Sequence, residues 1–157
     1  MKTQLATIDI LETDPPEYYL ARLNRQIRNV MDSTLRRHSL TLVEWRLLQS
    51  LAEQSSLTIC DLAQFAVVDR TVASRLVEKL NERKLVRKVA LAHDKRFVQV
   101  SITSKGKDLL AQCHDAVTAV RSALFARLSV AEVDSFIDTL QILLENAGNA
   151  KRLSVQR

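Results

Sequence analysis

The sequence predicts a mainly α-helical chain that carries one small β-hairpin. Three observations carry this expectation. Glycine and proline number only two each in 157 residues, too few for the many turns of an all-β protein. Apolar residues recur at three- and four-residue spacing through most of the chain, the period of a helix face. One stretch, "VRKVALAHDKRFVQVSIT", alternates instead with period two on both sides of a polar tip, "AHDKR". The composition, 46% apolar and 26% charged, is that of an ordinary folded domain able to bury a core without disulfides or metals.

Residues 1–13 read as a loosely held arm. Asp14 followed by Pro15 is a helix start, a capping carboxylate and then a proline at the first helical position, where its missing N–H leaves no bond unmade. Leu20, Leu23, Ile27, Val30, Met31 and Leu35 give a long amphipathic helix to about His38, with Arg22, Arg25, Arg28, Arg36 and Arg37 on its other side. Thr41 and Glu44 have the spacing of a capping box, in which hydroxyl and carboxylate satisfy free N–H groups reciprocally. The helix they open runs to about Ala52, with Leu47, Leu48 and Leu51 as core residues. Thr58 and Asp61 repeat the device for a short helix ending near Ala66, with Leu57 and Leu62 as a hydrophobic staple. Asp69 caps the next helix, whose apolar stripe is Val72, Ala73, Leu76, Val77 and Leu80.

The hairpin follows, with strands at Val86–Leu91 and Phe97–Ile102. It lacks the Asn-Gly or Gly-Gly of a tight two-residue turn. Thr103 begins a second long helix along Leu109, Leu110, Cys113, Ala116, Val117, Val120, Leu124 and Leu128. Ser129 and Glu132 form a third box before a last helix lined by Val133, Phe136, Ile137, Leu140, Leu143 and Leu144. The polar tail after Gly148 reads as frayed.

Net charge is +5, and its location says more than its size. Residues 69–96 hold nine Lys or Arg and four Asp or Glu, while the rest of the chain is neutral. A solvated surface spreads charge; a face for a polyanion gathers it. The gathered charge lies on a short helix, a tight link and a second helix, which together read as a helix-turn-helix, with the hairpin behind it as a wing. A helix fits the major groove of B-DNA, and in this motif the start of the second helix meets the base edges. That start is "DRTVASR". Arg70 can fork onto guanine, Thr71 can meet a thymine methyl or a phosphate, and Ser74 can reach either. Arg75 can take phosphate or pack back onto the domain, and Lys79 adds a further cation. A wing beside such a helix meets the neighbouring minor groove, whose negative potential attracts Arg96. Asp94 can accept from that guanidinium and orient it, and Lys95 can take phosphate. Each feature alone is ordinary surface chemistry; an isolated Asp94–Arg96 pair would contribute only ~0–1 kcal/mol. Their coincidence in one segment is what points to DNA.

At these residues the chain resembles the MarR family of winged helix-turn-helix transcriptional regulators. The matching text is "LTLVEWRLLQSLAE", "LTICDLAQFAVVDRTVASRLVEKLNERKLV" and "HDKRFVQVSITSKGKDLL", nearly continuous from Leu40 to Leu110. The resemblance implies a mainly α fold with a hairpin wing in three parts. These are an arm and dimerisation helix over 1–38, the DNA-binding domain over 39–103 and dimerisation helices over 104–157. It implies a homodimeric repressor on a palindromic operator in double-stranded DNA, released by a small aromatic or phenolic anion. The apolar stripes of the first and last helices agree, since a winged helix alone does not obviously cover them. Carried over, the anion site points to Ser74 and Arg75, with Arg22, His38, Trp45 and Arg46 as looser candidates. Trp45 also reads as core, and His38 as a cation suited to a helix end. The family pattern has glycine where this chain has Lys84, in "NERKLV", so either Lys84 accepts a left-handed cap or the helix ends differently.

Three histidines, no glycine-rich phosphate loop and no metal-ligand spacing leave no constellation for an enzyme. No cofactor and no metal is expected. Cys60 and Cys113 match no redox spacing, and a disulfide scaffold is excluded. With no signal peptide and no run of ~20 apolar residues, the cytoplasm is the expected location, away from any membrane. The alternative function is a winged helix used as a protein-docking module without DNA sequence preference.

Overall fold

The computed structural model describes the backbone of residues 15–91 and 94–155, with the side chains of 90–97 and of 150 onward outside the description. The chain forms α1 (Pro16–Leu35), a 3-10 turn (Arg36–His38), α2 (Leu42–Glu53), β1 (Leu57–Thr58), α3 (Ile59–Ala66) and α4 (Arg70–Glu82). The series continues with β2 (Val86–Leu91), β3 (Asp94–Ile102), α5 (Ser104–Phe125) and α6 (Val130–Val155). It divides into two compact units, one up to Thr118 and one from Ala119.

All three capping boxes form. Thr41 Oγ1 accepts from Glu44 N–H at 3.2 Å, Thr58 Oγ1 from Asp61 N–H at 3.2 Å, and Ser129 Oγ from Glu132 N–H at 3.3 Å. In each the acidic side chain bonds back to the cap N–H. Helix α1 starts one residue later than expected. Pro15 is the cap, with ψ 146°, and Pro16 is the first helical residue. A residue that precedes proline is pushed out of the helical region, and Pro15 precedes Pro16. Asp14, the expected cap, lies outside the described residues, as does the arm over 1–13.

Three further expectations are corrected. A third strand, β1, pairs antiparallel with β3, so the sheet has the order β1-β3-β2; two residues are too few to show alternation in sequence. Strand β3 begins at Asp94 instead of Phe97. Ala90 pairs with Val98 and Leu91 with Asp94, so the register jumps at the end of the hairpin, an irregularity of the bulge kind. Finally, α6 continues past Gly148 to Val155, so the expected fraying there is absent from the backbone.

The core of the first unit is built where three helices and the sheet meet. Leu47, Leu48 and Leu51 of α2, Leu62 of α3, Val77 and Leu80 of α4, and Leu85, Val86 and Val100 are buried. Val72, expected on the buried stripe, is 37% exposed because the inward face of α4 is centred on Ala73, Val77 and Leu80. On α1 only Met31 and Leu35 are buried; Leu20, Leu23 and Val30 are exposed. In α6, Phe136, Ile137, Leu143 and Leu144 are exposed as well. Among the described residues no helix is long and apolar enough to cross a membrane.

Candidate nucleic-acid interface

Helices α3 and α4 are joined through Val67, Val68 and Asp69. Val67 has φ 56°, the left-handed region that a β-branched residue resists. Its N–H donates to Gln64 O at 3.1 Å, and Val68 N–H donates to Ala63 O at 3.0 Å, the paired bonds of a Schellman motif. Asp69 then caps α4, its Oδ1 accepting from Val72 N–H at 2.9 Å. The link is short and held by these bonds, which constrain the direction in which α4 leaves α3.

Ala73, Val77 and Leu80 face inward from α4, which leaves Arg70, Thr71, Ser74, Arg75 and Lys79 exposed. Among the described residues, neither Arg70 nor Arg75 has a carboxylate in ion-pair range. Lys79 differs. Its Nζ lies 2.8 Å from Oε1 of Glu44, a residue only 1% exposed, and Arg83 adds a longer contact at 3.9 Å. At this distance the Lys79 ammonium makes a charge-assisted contact with that oxygen. The other oxygen, Oε2, accepts from the Thr41 N–H at 2.8 Å and hydroxyl at 3.1 Å. Burial pushes the Glu44 carboxyl up; the Lys79 ammonium and the two Thr41 donors outweigh it and hold the group below the ordinary glutamate value. Lys88 is likewise paired, with Glu78.

The far end of α4 is bound as tightly. Lys84 takes φ 61°. Its N–H donates to Asn81 O at 2.9 Å and Leu85 N–H donates to Leu80 O at 3.0 Å, again a Schellman pair. Lys84 therefore adopts the left-handed cap that glycine usually supplies. The start of α5 covers the carbonyls beyond it. Thr103 Oγ1 donates toward Lys84 O at 2.8 Å and Leu85 O at 3.0 Å, and Lys105 Nζ donates to Arg83 O at 3.0 Å. Gly106 makes this approach possible, since a Cβ there would sit 2.3 Å from Leu85 O.

Of the wing residues, Asp94, Lys95 and Arg96 have backbone in β3, beside the register jump, and their side chains lie outside the description. The structure does not gather the ligand candidates in one place. His38 lines a cavity of about 340 Å³ with Ser33, Thr34, Arg37 and Ala116. Arg22 is exposed on α1, and Ser74 and Arg75 are exposed on α4. Trp45 is 8% exposed, a core position. Arg46 is partly buried, and its pKa is lowered by that burial and by the Arg28 charge. Sequence reasoning missed Ser33, Thr34 and Arg37 beside His38, although their three- and four-residue spacing is local and could have shown it; it also missed the Lys79 partner of Glu44, which is joined only through tertiary contact. Cys113 is buried, which pushes its thiol pKa up and away from reactivity; Cys60 is exposed. Among the described residues no group of three or more His, Cys, Asp or Glu could hold a metal.

The family model for the MarR family matches residues 38–96, the segment that contains this helix-turn-helix and the start of the wing. Over this segment the chain is similar to the MarR family. Across 141 residues it is 24% identical to the HTH-type transcriptional repressor IacR of Pseudomonas putida, covering 90% of this chain and 84% of that protein. Its fold matches a mutant of E. coli MarR complexed with operator DNA, with TM-score 0.76 and 23% identity over 86% of this chain and 97% of the other. It also matches Bordetella bronchiseptica BpsR, whose DNA binding is regulated by 6-hydroxynicotinic acid, with TM-score 0.74 and 21% identity over 81% and 96%. The relative matched across most of the chain is named a transcriptional repressor, and the fold is that of a protein solved with operator DNA.

Proposed function

We propose that the chain is a homodimeric repressor that reads a palindromic operator with α4 and the wing. The observation that carries this reading is the exposed start of α4, where Arg70 and Arg75 stand without a carboxylate partner among the described residues. Arg70, Thr71 and Ser74 read base edges in the major groove, and Arg75 takes phosphate. Arg96 enters the minor groove with Asp94 orienting it, and Lys95 takes phosphate. Exposed apolar residues on α1 and α6 support a dimer that covers them, so that two copies of α4 meet half-sites ~34–36 Å apart. In this reading 1–38 and 104–157 are the dimerisation parts, 39–103 is the DNA-binding domain, and the protein works in the cytoplasm. IacR is named a repressor, which supports repression over activation.

Release by a small aromatic or phenolic anion belongs to the same reading. The regulation of BpsR by an aromatic acid supports it. In this chain the cavity at His38, with the Arg37 cation and the Ser33 and Thr34 hydroxyls, has the size and polar groups for such a ligand. Selection of binding sites from a random DNA pool tests the whole. The expected result is one palindrome, bound with steep salt dependence and released by phenolic acids. Binding with no sequence preference would favour the protein-docking alternative, which the relatives do not support. Arg96→Ala is expected to weaken operator binding in fluorescence anisotropy while the protein stays folded; unchanged binding would remove the wing from the interface.

A further inference from the structure

We propose that Lys79 and Glu44 form a positioning pair that holds α4 at its working angle, and that Lys79 is not a phosphate contact. The inference rests on the DNA-binding reading above. Lys79 is on the outer side of α4, beyond Arg70 and Arg75, and by sequence it belongs with the DNA-facing cations. The geometry assigns its charge elsewhere. Its Nζ is 2.8 Å from a carboxylate that is 1% exposed. A phosphate would compete with that carboxylate for Lys79, and drawing the lysine away would leave Glu44 buried with Arg83 at 3.9 Å as its nearest cation among the described residues. Stranding a buried charge is costly, so the pair resists the exchange.

Glu44 is also built to stay where it is. Its second oxygen closes the box at the start of α2, through the Thr41 N–H and hydroxyl. The carboxylate therefore has one oxygen on its own helix and the other on α4. Nearby, Asp32 of α1 accepts from Leu42 N–H at 2.6 Å. Helix α4 is thus tied through Lys79 to the start of α2, and α2 through Leu42 to α1. Lys79 lies outside the turn that meets base edges, so what it controls is the direction in which that turn is presented.

A phosphate contact and a positioning contact leave different traces. Removing a phosphate lysine weakens binding on all sequences alike and lowers the slope of log affinity against log salt by about 1. Removing a positioning contact weakens the specific site, leaves random duplex unaffected and keeps the slope. Two variants of the full-length protein test this, each checked for folding by circular dichroism. Lys79→Ala removes the cation. Glu44→Gln removes the carboxylate charge and keeps a residue that can still close a capping box. Both are expected to lose about tenfold in operator affinity, the scale of a single charge-assisted contact, with random duplex affinity and salt slope unchanged. The double variant should lose no more than either single one, and Lys79→Arg, which can still reach Glu44, should restore binding. The proposal is overturned if Lys79→Ala weakens both DNAs equally with a shallower slope, or if Glu44→Gln binds the operator as the wild type does. A wild-type protein that prefers no sequence would defeat the DNA-binding reading instead.

Discussion

The two ends of helix α4 are built in opposite ways. From Lys79 onward, the charged and polar groups are largely paired. Lys79 and Arg83 meet Glu44, Lys84 and Leu85 close a Schellman pair, and Thr103 and Lys105 cover the carbonyls of Arg83, Lys84 and Leu85. At the start, Asp69 satisfies one backbone N–H, and the side chains of Arg70, Thr71, Ser74 and Arg75 stand exposed. Exposed cations are ordinary on a protein surface, but Arg70 and Arg75 stand without a carboxylate partner among the described residues on a helix whose other end is largely bonded. The contrast makes sense if the missing partners arrive with DNA: the bonded end fixes the direction and the open end is completed by the operator.

The contrast is broken most severely at the bonded end. Gly106→Ala would put a methyl group 2.3 Å from Leu85 O and 2.7 Å from Ile102 Cγ1. Overpacking of this kind costs about 1–3 kcal/mol, against about 1 kcal/mol gained from replacing glycine in a helix. Net destabilisation is expected in urea unfolding, with a lower midpoint; an unchanged midpoint would mean that α5 can back away and that the clamp is slack. The mirror experiment is at the open end. Arg70→Ala should leave stability within about 0.5 kcal/mol of wild type, as for most surface changes. It should weaken operator binding by about 1–3 kcal/mol and relax base preference at one position of each half-site. Loss of stability there would mean that Arg70 serves the fold.

The helix starts are legible in the amino-acid sequence alone. The boxes at Thr41, Thr58 and Ser129 are local, their partners three positions apart, and all three form. Asp69 is equally plain. What the sequence hides involves residues far apart along the chain or a conformation that the residue type argues against. Lys79 finds Glu44 across 35 positions, and nothing in "RLVEKL" announces it. Strand β1 exists because β3 lies beside it. Val67 and Ser39 adopt positive φ without being glycine or asparagine, so no turn signal marks them; only Lys84 stands out, because the family pattern has glycine there. The exposed cations of α4 are legible as a charged face, but which of them already has a partner is not.

A smaller effect sharpens the comparison through pH. Glu44 titrates below its ordinary value in the folded chain because Lys79 and Thr41 favour its charged form over the opposing effect of burial. A carboxylate lowered in this way contributes stability that is present above its unfolded value, 4.5, and lost as pH falls through the lower folded value. Stability should therefore decline as the solution is acidified below about pH 4.5. Asp61 and Glu132, lowered by Thr58 and Ser129, act in the same direction. Glu44→Gln should flatten part of the acid decline, not all of it. Urea midpoints measured down the acid range check this; identical slopes for both proteins would show that the Lys79 contact gives no preference for the charged form.

The smallest expected effect lies at the hinge between the helix-turn-helix elements. Val67 holds φ 56° at a position 73% exposed, so its side chain buries little while its backbone is strained. The left-handed conformation costs an L-residue about 1–2 kcal/mol, and glycine removes that cost. Glycine also loosens the unfolded chain, which opposes the gain by about 0.4–1 kcal/mol. Val67→Gly is expected to raise stability by the difference, roughly 0.5–1 kcal/mol, seen as a higher urea midpoint with an unchanged slope. Lys84→Gly, at φ 61° and without β-branching, should gain less. Both Schellman pairs use backbone groups alone, so neither change removes a bond. If Val67→Gly proves less stable than the wild type, the turn is held by contacts of the valine side chain, and the direction in which α4 leaves α3 depends on that side chain more than on its hydrogen bonds.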